Sequence, residues 1–483
     1  MNKIQTFSLS VFLVALAGGA AVAQDNDVQF KPVSLASQFY FGQIAKGQIY
    51  SGEAIGANQK LKGNFFQRTG VWVTQEAVVN DRLDLKMGVG GLFWYSLPSD
   101  PNNAPSVLTQ FGPGISQAQG TYTFGDLSKP TAVLQMGYFP YKYNPDAKNL
   151  GEYLLRSGAY PNYLVSGGWN MISSAAYMVQ GFRVGTTFWD DRISLDLLLP
   201  MEHDVPPMFD LSPTVVASIR PAAGIELGAG VDFNHLIPIK PSAEHPHVAA
   251  NEIITGVVID SSSVTWDSAG TTFTGNRPST NYTYSDGPFY YNYTRDTTSY
   301  YTFQGVKLIG RASFDPKAYI SMPMLGAQDL KLYGEVAVLG VKNYDFLYEK
   351  ITERMPVMVG FNLPTFKLLD VLSFELEYYN SKLPNSMYKP INSSLPIGDY
   401  LGGTGAVTQA NIDQYNADIK GDNWKWSMYT TRSITKGLQI YGQVASDHIR
   451  TINYNRGASP TYAPVTNRNG KDWYYLVRFE FGI

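Results

Sequence analysis

Cysteine is absent from all 483 residues, so disulfides and thiolate sites are excluded, and with them the small stapled scaffolds of secreted proteins. Long apolar runs are also missing after the first residues. Even Val371–Tyr379 is broken by Ser373, Glu375 and Glu377, so nothing reaches the roughly 20 apolar residues of a spanning helix. If such a chain enters a membrane, it does so as a barrel, in which every backbone polar group is paired. Charge of one sign is lacking: 37 Lys and Arg against 40 Asp and Glu leave a net −3 with no basic run, which argues against a nucleic-acid partner. Histidine is scarce, at five residues: His203, His235, His245, His247 and His448. His245 and His247 stand close together but lack a third ligand at metal-binding spacing. No phosphate-cradling loop, nucleophile elbow or Ser-His-acid set is present, so neither an enzyme nor a cofactor is expected.

What is present begins with an export pattern. Lys3, an apolar run from Phe7 to Ala17, and Ala21-Val22-Ala23 before Gln24 have the order of a secretory signal peptide. The expected organisation is a signal peptide over 1–23, a periplasmic segment over 24–35 and one transmembrane barrel over 36–483.

Wherever the chain is regular, its period is two. Leu83, Leu85, Met87, Val89 and Phe93 alternate with Asp84, Lys86, Gly88 and Gly90. Ile193, Leu195, Leu197 and Leu199 alternate with Ser194 and Asp196. Ile225, Leu227, Ala229, Val231 and Phe233 oppose Glu226, Gly228, Gly230 and Asp232, and Leu372, Phe374, Leu376 and Tyr378 oppose Ser373, Glu375 and Glu377. Each such strand buries one oily face only. A soluble sandwich shows the same alternation, so the connections must discriminate. Counted back from the carboxyl end, short turns (Asn80-Asp81, Asp190-Asp191, Pro221–Ala223, Thr435–Gly437) alternate with long connections. The longest run near 142–173, 237–298 and 382–422. That rhythm belongs to an up-and-down antiparallel barrel with short periplasmic turns and long outer loops. With Gln38–Tyr50 as the first strand, about 16 strands are expected, within a range of roughly 14 to 18. The connection Asp315–Asp329 is long for a periplasmic turn.

The last residues alternate Trp473, Tyr475, Val477, Phe479, Phe481 and Ile483 against Tyr474, Leu476, Arg478 and Glu480. The segment Tyr475–Ile483 resembles the carboxyl-terminal signal of Gram-negative outer-membrane β-barrels, porin-like proteins in which alternate aromatics are read by the barrel-insertion machinery. The family usually ends in an aromatic residue; here Ile483 is last and Phe481 lies two places earlier. The resemblance covers the signal peptide, the terminal strand and the strand rhythm. Proteins of this appearance are commonly trimers, so a homotrimer is the assembly the resemblance offers.

In a barrel the oily set faces lipid, since a charge near the bilayer midplane costs about 2 to 4 kcal/mol. The lumen should then be lined by Arg68, Glu76, Asp84, Lys86, Asp196, Glu226, Asp232, Lys307, Arg311, Lys331, Glu335, Glu375, Glu377, Arg478 and Glu480. For each, the bland reading is a solvated or paired charge without a selective role. About 16 strands enclose more space than side chains fill, which implies passive diffusion of small hydrophilic solutes, with a slight cation preference from the excess of acids. Between Pro145 and Gly158, Leu150, Tyr153 and Leu154 are spaced for one face of a short helix. This stretch looks similar to the inward-folded third loop of general porins. That likeness implies that Asp146, Glu152 or Arg156 sits at a constriction; a helix packed on the rim fits the spacing equally. A competing reading is a surface adhesin or binding barrel, whose Tyr-rich segment near 281–301 stacks on sugar rings or partner proteins.

Overall fold

The structure, a computed structural model, describes residues 28–49, 59–61, 65–95, 109–156, 177–202, 209–239, 252–266, 282–286, 289–300, 305–343, 350–380, 423–447, 465–466 and 471–482. The expected signal peptide and the insertion near 382–422 lie outside these residues. So do four of the five histidines, His203, His245, His247 and His448.

Sixteen strands form the wall. They are β1 (Ser34–Ile49), β2 (Phe65–Val79), β3 (Leu83–Tyr95), β4 (Thr109–Gly125), β5 (Pro130–Tyr141), β6 (Tyr177–Phe188), β7 (Ile193–Pro200) and β8 (Thr214–Ala222). There follow β9 (Ile225–Asn234), β10 (Gly305–Phe314), β11 (Leu332–Val338), β12 (Val357–Asn362), β13 (Val371–Tyr378), β14 (Trp424–Thr435), β15 (Leu438–Ser446) and β16 (Trp473–Gly482). Each pairs antiparallel with its sequence neighbour. The ring closes where β1 pairs β2 on one side, from Ser34↔Thr74, and β16 on the other, from Ala36↔Gly482 to Lys46↔Trp473. The result is a closed 16-stranded all-β barrel. Closure leaves no open edge, so the oily terminal strand, a liability in an open sheet, is paired on both sides.

The alternation sorts the side chains. Exposed large apolar residues occupy one face of most strands: Leu85 and Met87 on β3, Phe182 and Val184 on β6, Leu308 on β10, Val357 and Val359 on β12, Phe374 and Leu376 on β13. On β10 the other set, Lys307, Ile309, Arg311 and Ser313, is buried without exception. The oily set therefore faces outward, and the polar set inward.

Several boundaries differ from expectation. β1 opens at Ser34, ahead of Gln38, and upstream of it Val28–Phe30 already pairs with Ala77–Val79. β4 begins at Thr109, inside the long connection expected over Leu97–Ile115. The long connection between β9 and β10 contains a three-stranded sheet of Glu252–Trp266, Tyr282–Asp286 and Phe289–Tyr300. The long Asp315–Asp329 turn is built deliberately. Asp315 caps a short 3-10 helix, Pro316–Ala318, by accepting the Lys317 N–H at 3.0 Å. Asp329 accepts from the Gly326 N–H at 2.8 Å, the Thr365 hydroxyl at 3.0 Å and the Phe366 N–H at 3.2 Å, which ties this turn to the next one.

Candidate functional site: the loop across the barrel

Inside the wall lies a loop of the chain itself. After β5 the backbone leaves the wall at Lys142 and ends its described course in one helical turn, α1 (Tyr153–Arg156). The expected helix is thus a single turn, and Leu150 precedes it. Gly151 has φ +80° and Glu152 φ +61°, so the chain turns through the left-handed region there. A Cβ at Gly151 would also press on the Met358 methyl at 2.7 Å.

Two carboxylates on the far side hold this loop. Glu375, on β13, accepts the backbone N–H of Lys148 at 2.6 Å, of Asn149 at 2.9 Å and of Leu150 at 2.8 Å, together with the Tyr333 hydroxyl at 2.9 Å. Glu335, on β11, accepts the N–H of Glu152 at 3.1 Å and of Tyr153 at 2.9 Å, the Asn144 side-chain amide at 2.8 Å and the Tyr143 hydroxyl at 2.5 Å. Loop backbone that would be orphaned in a dry interior is thereby paired with charged acceptors, the stronger kind of hydrogen bond. Tyr153 donates its hydroxyl to Glu377 at 3.0 Å, and Asn149 its amide to Asp447 at 2.5 Å. Lys331 pairs with Asp146. Burial, joined by the charges of Glu335 and Glu152, pushes the Tyr143 hydroxyl well above its ordinary pKa and keeps it a donor.

The contact has an oily half as well. Leu150, Tyr153, Leu154 and Leu155 from the loop pack with inward-facing Leu198, Val216, Ile309, Tyr333 and Met358 in one buried cluster. These wall residues interrupt an otherwise polar inner face. This apolar patch covers the loop's own apolar side.

The predicted residues fall into two groups. Asp232, Lys307, Arg311, Glu335, Glu375, Glu377 and Arg478 face inward but are buried. Asp232 pairs with Lys307 at 3.5 Å across β9 and β10, and Arg311 reaches Glu226 at 2.5 Å. Glu76, Asp84, Lys86, Asp196, Glu226, Lys331 and Glu480 keep part of their side chains in solvent. The side chains of Arg68 and Arg156 lie outside the described ones, whereas Asp146 and Glu152 are both buried within the loop.

Sequence reasoning missed Arg183, Arg220 and Lys425. Arg183 contacts Asp196 at 2.8 Å and lies over the Tyr141 ring at 5.4 Å, while Arg220 holds Glu226 at 3.1 Å. For Arg183 the signal was available, because Val179, Gly181, Arg183 and Gly185 alternate with Phe182 and Val184. Among the described residues, most inward charges have an opposite charge within 4.0 Å.

The closed ring, its oily exterior and its charged interior define a 16-stranded antiparallel β-barrel of the membrane-spanning kind. No family model and no curated protein matches the chain. Among solved structures, one mutant of the Rhodopseudomonas blastica porin aligns with 94% of this chain and 100% of its own at 7% identity and a TM-score of 0.40. A triple mutant of the same porin aligns over the same shares at 8% identity and a TM-score of 0.39.

Proposed function

We propose that this protein is a channel for passive diffusion of small hydrophilic solutes across the outer membrane of a Gram-negative bacterium, without chemistry of its own. The observation that carries this reading is the loop Lys142–Arg156, bonded to Glu335 and Glu375 inside a ring wider than its own side chains can fill. A segment held across a cylinder narrows the passage there without closing the water-exposed charges elsewhere on the wall. The loop is the constriction of this reading, with Asp146 and Glu152 in it. The charges that keep solvent contact, Glu76, Asp84, Lys86, Asp196, Glu226, Lys331 and Glu480, line the remaining path. Because most of them are paired, ion selectivity is weak. The chain is exported through residues 1–23, inserted through its terminal strand by the barrel-insertion machinery, surrounded by lipid and assembled as a homotrimer.

The test is conductance in planar bilayers together with liposome swelling. Discrete, voltage-independent steps and sugar-dependent swelling are expected, and deletion of Lys148–Gly158 should raise the step size. Silent bilayers would reject a channel, and unchanged conductance in the deletion would reject the constriction.

One observation favours the second reading, a surface-binding barrel. In the outer sheet Tyr282 stands opposite Tyr293, Tyr284 opposite Tyr291, and Phe289 opposite Trp266, so these six register positions share one face. Silent bilayers combined with retention on immobilised neutral glycans would favour it.

A further inference from the structure

The turn Asp315–Asp329 separates its polar and apolar groups in a way that its neighbours do not require. Its polar groups are tied down: Lys317 Nζ donates to Asp315 at 2.8 Å and to the Asp329 carbonyl oxygen, and the Asp329 carboxylate is bound to the adjoining turn. Leu325 is buried, but the other large apolar side chains of the turn are exposed. Tyr319, Ile320, Met322 and Met324 are 59, 46, 47 and 63% exposed, and Phe366 and Leu368 on the clamped neighbour are 55 and 76% exposed. The apolar surface is continuous with the outer wall. Phe314, the outward-facing last residue of β10, stacks on Tyr319 at 6.2 Å between ring centres with an interplanar angle of 30°, and the Tyr319 hydroxyl donates to the Ala223 carbonyl at 2.6 Å. Tyr319 thus continues the oily band past the end of the strand, with its hydroxyl on backbone at the rim.

We infer that this turn is a membrane-surface anchor, seated in the boundary between acyl chains and headgroups of the periplasmic leaflet. The inference rests on the proposed membrane location. The occupant is phospholipid because the patch prolongs the lipid-facing wall without a break, and because a tyrosine backed by aliphatic and thioether side chains suits that boundary. A turn that merely crossed the periplasm would need neither the extra length nor four exposed apolar side chains, which in water cost free energy in proportion to their area.

The absence of cysteine makes the test direct. Met324→Cys and Ile320→Cys, each carrying a nitroxide, are reconstituted in phospholipid vesicles and probed for access of oxygen and of a water-soluble nickel chelate. Val359→Cys on the outer wall and Ser128→Cys on the exposed turn Asp126–Lys129 serve as references. The anchor predicts that both turn positions follow Val359→Cys, with oxygen access high and nickel access several-fold below that of Ser128→Cys. Nickel access equal to that of Ser128→Cys overturns the inference alone. So does an immobilised spectrum shielded from both reagents, which would indicate a protein partner on the patch. Nickel access at Val359→Cys itself overturns the membrane location and this inference with it.

Discussion

Glu375 accepts the backbone N–H of Leu150 at 2.8 Å, although the strand that carries Glu375 stands eight places around the ring of 16 from the strand that leads into Leu150. No larger separation exists in such a ring. One side chain therefore fixes how far the loop crosses the interior, and its removal has a defined consequence. Glu375→Gln keeps the volume but turns one acceptor oxygen into a donor. It then faces either the N–H groups of Asn149 and Leu150, or that of Lys148 with the Tyr333 hydroxyl. Each lost bond to a charged acceptor costs about 1.5 to 3 kcal/mol. The variant is expected to unfold in urea with a free energy lower by roughly 3 kcal/mol, and its single-channel steps should become larger and noisier.

Asp146 and Lys331 form the ion pair nearest the loop's start, with Asp146 buried and Lys331 partly in solvent. Asp146→Asn leaves the ammonium uncompensated, so the reversal potential in a salt gradient should move toward anion preference. Adding Lys331→Gln should return it. In a double-mutant cycle the pair should show a coupling on the order of 1 kcal/mol, and additive effects would show that the two charges act independently.

Much of this wall was legible in the chain, for a physical reason. A strand with lipid on one side and protein or water on the other needs period two, so Asp84, Asp196, Glu226, Asp232, Glu335, Glu375 and Glu480 could be placed on the inner face from alternation alone. The fate of the central segment was not legible in that way. Leu150, Tyr153 and Leu154 are satisfied by any apolar surface, on the rim or inside. The choice is made by Glu335 and Glu375, which lie some two hundred residues away in sequence. The inward apolar residues Leu198, Val216, Ile309 and Met358 escaped notice for the same reason, since they have no purpose until the loop is set against them. Lys425 was missed because it stands at the start of β14, immediately after a long polar connection that hides the strand boundary.

Gly360 on β12 lies beneath Tyr333, and a Cβ there would fall on the phenol ring. Because the Tyr333 hydroxyl bonds Glu375, a methyl group at this position pushes on the loop clamp from behind. Gly360→Ala should lower stability by about 1 to 3 kcal/mol, the usual cost of overfilling a packed site. The double variant with Tyr333→Phe, which has already given up the hydroxyl contact, should lose less from the added methyl group. Equal losses in the two backgrounds would place the strain elsewhere than at Glu375.

Asp329 makes the acid limb of stability testable at one residue. Burial pushes its carboxyl up, but hydrogen bonds from the Gly326 N–H, from the Thr365 side chain and backbone, and from the Phe366 N–H outweigh burial and leave its pKa below the usual aspartate value. A folded-state pKa that lies below the unfolded one contributes stability above the unfolded value, about 3.9, and that contribution is lost as pH falls through the folded value. Asp329→Asn removes the charge at every pH. At pH 7 the variant should therefore be less stable than the parent by about 2 kcal/mol, read as an earlier heat-induced shift in gel mobility. As pH falls below the unfolded value and through the lower folded one, the parent takes up the proton and loses the same contribution, so the two midpoints should converge. A gap that stays constant down to pH 2 would mean that the stabilising interaction at Asp329 does not depend on its charge.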